Sequence, residues 1–302
     1  RSGDAHAVIL TGAGKAFCAG GDIDAWADLP PEGFARHWLR DGHQALDALA
    51  HLRQPVIAVL NGHALGGVWF HLALGEGLFF SGDWSEESRW FAFDPPPPAA
   101  LALIDASYHL DDVRQARRRD DLDLALAQCE GRQLLFPVPP SGRAGELALH
   151  LMGWGDVSLD ETCRDAVAHA LTTGSLAGDA GLLAPLLELP FDPGAQFLVC
   201  DTPNADAGMS WKLVQDWRDN GRLGKDAVVF FTGHMTAHAR VIADQGGRFL
   251  RWNVHPPLSD QIGMVRRLGA RRYAPLFCSQ PESYLIEPRF GAELVLHERC
   301  IL

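Results

Sequence analysis

The chain has no Cys-x-x-Cys pair. Its six cysteines, Cys18, Cys129, Cys163, Cys200, Cys278 and Cys300, are scattered, which gives neither a zinc knuckle nor a disulfide framework. Reduced thiols are therefore expected. It also has no apolar run near the ~20 residues that span a bilayer, and no charged-then-apolar leader at its start. The expectation is a soluble cytoplasmic protein with no membrane partner. Cations are in short supply: 26 Lys and Arg stand against 38 Asp and Glu, a net charge of −12, which argues against a protein held to nucleic acid by its overall field. The basic run Arg114 to Arg119 is followed by Asp120, Asp121 and Asp123 and reads as a solvated, self-neutralising helix face. What remains is ordinary globular composition, 47% hydrophobic and 21% charged, in 302 residues that allow two domains.

The first quarter alternates strands with glycine turns. Ala7 to Thr11 reads as a buried strand ended by Gly12-Ala13-Gly14, and Ala16 to Cys18 as a brief second strand before Gly20-Gly21. Apolar residues at helical spacing from Phe34 to Leu52 predict a helix, and Pro55 to Leu60 the next strand. This order is βαβ logic. The two stretches, His6 to Ile23 and Gln54 to Gly67, resemble the core of the crotonase (enoyl-CoA hydratase/isomerase) family. The resemblance implies an oxyanion hole made by the N–H groups of Gly21 and Gly67, with Ala19 and Asp22 beside a coenzyme A thioester. Preorganised donors aimed at a developing enolate oxygen stabilise it strongly in a dry site. Departures follow at once. The family's third glycine is Val68, and its catalytic glutamate position is Phe70, so hydratase chemistry lacks its acid and base.

From Val68 onward the pattern changes. Val68 to Leu74 and Gly77 to Ser81 predict a hairpin turning at Gly75-Glu76, and Asp94 to Pro98 a proline-rich loop. Leu101 to Tyr108 reads as a strand carrying the acid Asp105, Asp111 to Cys129 as a helix, and Gln133 to Val138 as a buried strand. Ser141 is the expected N-cap of a helix with Glu146 in its first turns. Ala195 to Asp201 and Ala227 to Thr232 are expected as parallel strands around a helix at Trp211 to Arg218. Phe249 to Val254 and Arg272 to Phe277 should repeat that arrangement around Asp260 to Leu268. The strings Gly62-His63, Ser81-Gly-Asp83, Ile104-Asp-Ala-Ser-Tyr108, Ser141-Gly-Arg-Ala-Gly-Glu-Leu147 and Asn253-Val-His255 resemble, in order and spacing, metallo-β-lactamase-fold hydrolases carrying a β-CASP insert.

The expected fold is therefore α/β, with metallo-β-lactamase/β-CASP-like layers joined to a partial crotonase-like βαβ segment. Its parts are residues 1–67, a core remnant at 68–106 with 246–302, and a β-CASP-like region at 107–245. The second resemblance implies His63 and Asp83 as metal ligands and Asp105 as an acidic active-site position; its later histidines align with Leu258 and Cys278, and a three-residue shift of the alignment makes His255 a third metal ligand. It also implies an H-x-H-x-D-H cluster upstream of His63, and none is present. A binuclear zinc site needs those donors, so the expectation is a hydrolase homologue with an incomplete, inactive site that holds little zinc. The alternatives are an acyl-CoA-binding protein using the Gly21/Gly67 hole, and a catalytically silent scaffold. His234 and His238 share a face only if that segment is helical. Partners implied are a small-molecule substrate or none, with a homo-oligomer covering strand edges if the crotonase-like strands and the 68–81 hairpin fail to pair.

Overall fold

The computed structural model describes residues 69–72, 75–90, 93, 95–140, 142–173 and 180–296, with the backbone of four short strands before them. Of these, β1 (Val8–Thr11) runs parallel to β3 (Val56–Val59), Val8 opposite Val56. β2 (Ala16–Cys18) runs parallel to β4 (His63–Ala64). Parallel pairing of β1 with β3 requires a crossover between them, which the βαβ reading supplies. The expected helix at Phe34 to Leu52 lies outside the described residues.

The rest of the described chain is mixed α/β, built on two five-stranded sheets. The first has the order β14-β13-β7-β6-β5, from β5 (Phe70–Leu72), β6 (Leu78–Phe80), β7 (Leu101–Asp105), β13 (Arg272–Leu276) and β14 (Glu293–Leu294). Only β5 runs antiparallel to its neighbour. The second sheet is wholly parallel, in the order β12-β11-β8-β10-β9. It contains β8 (Gln133–Pro137), β9 (Val157–Leu159), β10 (Phe197–Cys200), β11 (Ala227–Phe231) and β12 (Gly247–Phe249).

Strands covered on both faces must be apolar at every position, and β10 and β11, reading FLVC and AVVFF, are buried throughout. Alternation then sends successive side chains to opposite cores. Phe136 and Phe230 point to one side, stacked at 5.2 Å, in a core with Trp90, Leu147 and Trp252. Leu135, Val229 and Phe231 point to the other, against Val214, Trp217 and Ile242. The covering helices are α1 (Gln115–Ala127), α2 (Arg143–Leu151), α3 (Glu161–Thr173), the short α4 (Ala184–Leu187), α5 (Gly208–Asp219) and α6 (Ala237–Gly246). The mixed sheet packs Phe79, Ala102, Ile104 and Tyr273 against Ile262, Val265 and Leu268 of α7 (Leu258–Leu268). That helix ends on Gly269 at φ 64, the left-handed region that a residue without Cβ enters freely.

Several expectations need correction. Helix α2 is entered from Gly142, at φ 74, with no side-chain cap, so Ser141 is not its N-cap residue. Phe249 to Val254 is not a strand pairing with Arg272 to Phe277: β12 ends at Phe249 in the parallel sheet, and β13 belongs to the mixed sheet. Trp252 and Asn253 are buried there as anchors of a loop. β10 and β11 are parallel but separated by β8. Among the described residues no ladder joins the crotonase-like strands to the β5–β6 hairpin; each set pairs within itself. Val8 is half-buried, and the side chains of Leu10, Val56 and Ile57 lie outside the described residues. The parallel sheets are as expected in kind, but these two sheets do not show a metallo-β-lactamase/β-CASP layering.

Because Phe136 is fully buried and stacked on Phe230, Phe136→Ala should cost about 3–5 kcal/mol. Leu124→Ala, at a side chain 61% exposed on α1, should stay within about 0.5 kcal/mol. Urea unfolding midpoints of the two variants check this ranking.

Candidate functional site

Ligand sites in parallel sheets form beyond the carboxyl ends of the strands. The residues just past the ends of β6 and β7 meet in that position. Ser81 Oγ accepts the backbone N–H of Asp105 at 2.8 Å and donates to the Gly82 carbonyl at 2.7 Å, which fixes the turn carrying Asp83 against the end of β7. Asp105 itself is fully buried. One of its oxygens, Oδ1, accepts from Ser107 N at 2.9 Å and Ser107 Oγ at 2.6 Å. The other, Oδ2, lies 2.7 Å from Nδ1 of His255, which arrives on the loop after β12. Asp83, Asp105 and His255 each present a ligand atom within 4.8 Å of the others, Asp83 being exposed and His255 half-buried.

The walls are set by Tyr108 and Arg251. Tyr108 meets the His255 ring edge-on at 5.1 Å, and the Arg251 guanidinium lies 4.7 Å above its ring. The Tyr108 hydroxyl donates to the Trp252 carbonyl at 3.4 Å and accepts from Val254 N at 3.1 Å, which ties the 252–255 loop to the turn after β7. Burial pushes the phenol pKa up, against the Val254 N–H and the charges of Arg143 and Arg251. For His255, burial and the charge of Arg143 disfavour the imidazolium, but the hydrogen bond and charge of Asp105 and the charge of Asp83 outweigh them, and the pKa is raised.

Of the residues picked out from sequence, the structure brings together Asp83, Asp105 and His255. The side chain of His63, and all of Ala19, Gly21, Asp22 and Gly67, lie outside the described residues. His234 precedes α6, which starts at Ala237, so it shares no helix face with His238; both are exposed, and His238 Nε2 lies 3.2 Å from the Ala205 carbonyl. Ser81 and Tyr108 were not singled out, although each stands in the same strand-end string as an acid. Position at the carboxyl ends of adjacent parallel strands was the available signal.

The arrangement supports two kinds of chemistry. A carboxylate on one imidazole nitrogen fixes the ring and raises its basicity, the pattern used both for metal-ligating histidines and for acid–base histidines. Two carboxylates and one imidazole are hard and borderline donors that suit a divalent cation. Among the described residues these three donors suit one ion.

A family model described as "Enoyl-CoA hydratase/isomerase" matches residues 1–69. The Mycobacterium bovis protein described as "Probable enoyl-CoA hydratase echA8" is 45% identical over 64 residues, 21% of this chain and 24% of the relative. The Aspergillus fumigatus "Mevalonyl-coenzyme A hydratase sidH" is 39% identical over 64 residues, 20% and 23%. "3-hydroxyisobutyryl-CoA hydrolase, mitochondrial" of Xenopus laevis is 34% identical over 99 residues, 32% and 24%. The chain thus spans 24% of the length of the M. bovis relative. A crystal structure of a protein of unknown function from Enterococcus faecalis V583 aligns with a TM-score of 0.45 at 15% identity, over 74% of this chain and 57% of that one. The family model and the curated relatives support the crotonase resemblance at residues 1–69 and lend no support to the metallo-β-lactamase reading.

A raised His255 pKa gives stability that is fully present below the unfolded value of about 6.5 and is lost as pH rises through the folded value. NMR titration of the protein in chelator should place the His255 midpoint above 6.5. Asp105→Asn should lower that midpoint; a midpoint unmoved by the substitution would mean that the carboxylate does not hold the proton.

Proposed function

We propose that this chain is an acyl-CoA-binding relative of the enoyl-CoA hydratases and isomerases that does not hydrate its ligand. The observation that carries this reading is the family match over residues 1–69. In that resemblance the N–H groups of Gly21 and Gly67 receive the thioester oxygen, and Ala19 and Asp22 line the coenzyme A path. The position of the family's catalytic glutamate is Phe70, which has no proton to give or take. General acid–base catalysis contributes roughly 10²–10⁴-fold, so ligand binding without turnover is the expected outcome. Crotonyl-CoA titrated into the full chain should bind without loss of enoyl absorbance. Gly67→Pro, which deletes one N–H donor, should weaken binding. Hydration of crotonyl-CoA, or equal binding by the variant, would overturn this reading.

A second reading is favoured by the convergence of Asp83, Asp105 and His255. These three residues would hold one divalent cation, which when bound supplies a Lewis acid and an acidified water, the chemistry of metal-dependent hydrolysis. In that role Asp105 orients His255, while Ser81 and Ser107 orient Asp105 through hydrogen bonds to its N–H and Oδ1. Elemental analysis after reconstitution should find at most one ion per chain, absent in Asp105→Asn. A value near two zinc per chain would sink the single-ion reading.

A further inference from the structure

The chain between β13 and β14 encloses an open cavity of about 540 Å³ beside that edge of the mixed sheet. Small-molecule sites have volumes of roughly 300–1,000 Å³. The cavity lies by Arg271 and Tyr273, at the start of β13, whereas the Asp105 centre adjoins Leu276 at the other end of that strand. Two 3₁₀ turns, Pro281–Ile286 and Pro288–Phe290, contribute one wall. β14 contributes the other: Glu293 N donates to the Arg271 carbonyl and Val295 N to the Tyr273 carbonyl, each at 2.8 Å.

Tyr273 carries the argument. It is 1% exposed and its ring stacks on Phe290 at 4.1 Å, yet it lines the cavity and its hydroxyl has no hydrogen-bond partner among the described residues. Unlike the sealed polar atoms of the interior, that oxygen keeps accessible surface. Burial pushes the phenol pKa up to about 12 and the charge of Glu287, another lining residue, pushes it the same way, so the hydroxyl is neutral and stands on the Glu287 side. The Tyr284 hydroxyl, by contrast, is spent on the His109 carbonyl and Gln261. Two acids and one base line the cavity. Glu287 is held by Arg289 at 2.7 Å, and Arg271 is paired with Glu76. Glu293 is exposed and forms no ion pair among the described residues, which makes it the uncompensated charge. Leu285, 67% exposed, and Leu294 and Pro288 supply apolar surface for a ligand to cover. An unpaired carboxylate and a free phenol oxygen next to an apolar wall favour a ligand with a charged N–H donor at one end and a hydrocarbon body at the other.

We propose that this cavity binds a small organic ammonium ion, whose N–H groups are accepted by the Glu293 carboxylate and the Tyr273 hydroxyl and whose body is covered by Leu285, Pro288 and Leu294. The cavity depends on neither function proposed above, and its test is run in chelator without coenzyme A. Isothermal titration of the full chain with phenethylammonium should show binding that phenethyl alcohol and hydrocinnamate, its neutral and anionic counterparts, do not match. Tyr273→Phe should weaken it about threefold to tenfold, and Glu293→Gln about twofold to fivefold. Because the hydroxyl has no partner to lose, Tyr273→Phe should leave the melting temperature unchanged, whereas a merely structural tyrosine would lower it and leave the affinity alone. Glu282→Gln, at an exposed acid on the same 3₁₀ turn that does not line the cavity, should leave binding unchanged. Should Tyr273→Phe not fold, Glu293→Gln and Leu285→Ala carry the test, since both should weaken binding. Four outcomes would overturn the proposal: no binding, a counterpart that binds as tightly as the ammonium, affinity unchanged in the folded lining variants, or an equal loss in Glu282→Gln, which would mean attraction by the protein's overall charge alone.

Discussion

The candidate centre depends on one fully buried carboxylate. Asp105 ends β7 inside the protein, where an ionised side chain survives only if every lone pair finds a donor. Ser107 supplies an N–H and a hydroxyl to one oxygen, and His255 faces the other. Those partners come from segments far apart in sequence, so solvation of a single group fixes the turn after β7 and the loop after β12 together. Hydrogen bonds to the ionised form and a cation beside it are what make such burial tolerable, and the carboxylate in turn raises the basicity of the imidazole.

A second polar seam holds the same two regions in register. Gln115 Oε1 accepts from Asn253 N at 2.7 Å, while Asn253 Nδ2 donates to the Val113 carbonyl at 2.8 Å and to Glu87 Oε2 at 3.2 Å. Glu87 meanwhile accepts from Gln115 N at 2.9 Å and pairs with Arg114 at 3.0 Å. On the far side of the Asp105 turn, Tyr284 donates to the His109 carbonyl and to Gln261, both at 2.9 Å. Buried networks of this kind specify one geometry, because a shifted loop would strand several polar groups at once. The position of His255 relative to Asp105 is in this sense set from both sides.

Much of this was legible in the residues. The buried runs of β8, β10 and β11 announce themselves because strands covered on both faces cannot carry polar side chains. Asp83 and Asp105 stood out as acids at strand ends, and Asp83, Asp105 and His255 were picked out as site residues by the metallo-β-lactamase resemblance. Other features left weaker traces. β9 is only Val157–Leu159, too short for any period to show. α3 does carry an apolar face at Cys163, Val167 and Ala170, so its periodicity was readable. The loop around Trp252 misled in the opposite direction, since an anchored loop buries side chains without forming a strand. The crotonase-like quarter was legible as a family pattern, and the pairing of β1 with β3 is what a βαβ unit requires.

The surroundings of Arg143 and Thr232 were beyond sequence reading for a physical reason. A charged residue at the first position of a helix and a hydroxyl at the end of a strand are ordinary surface features, satisfied by water in most proteins. Their meaning comes from three-dimensional enclosure: Gly233 leaves room for a guanidinium, Trp252 N occupies the Thr232 carbonyl at 3.0 Å, and Glu146 is drawn away to the 88–90 segment. None of those facts has a local signature. A buried carboxylate announces its partners because hydrogen bonds to it must be present for the fold to stand, whereas a half-buried cation that forms no ion pair among the described residues leaves no such trace. The Asp105 cluster is satisfied by partners that its chemistry requires, whereas Arg143 and Thr232 take their places from packing, so only the first leaves a pattern of polar partners that a sequence can carry.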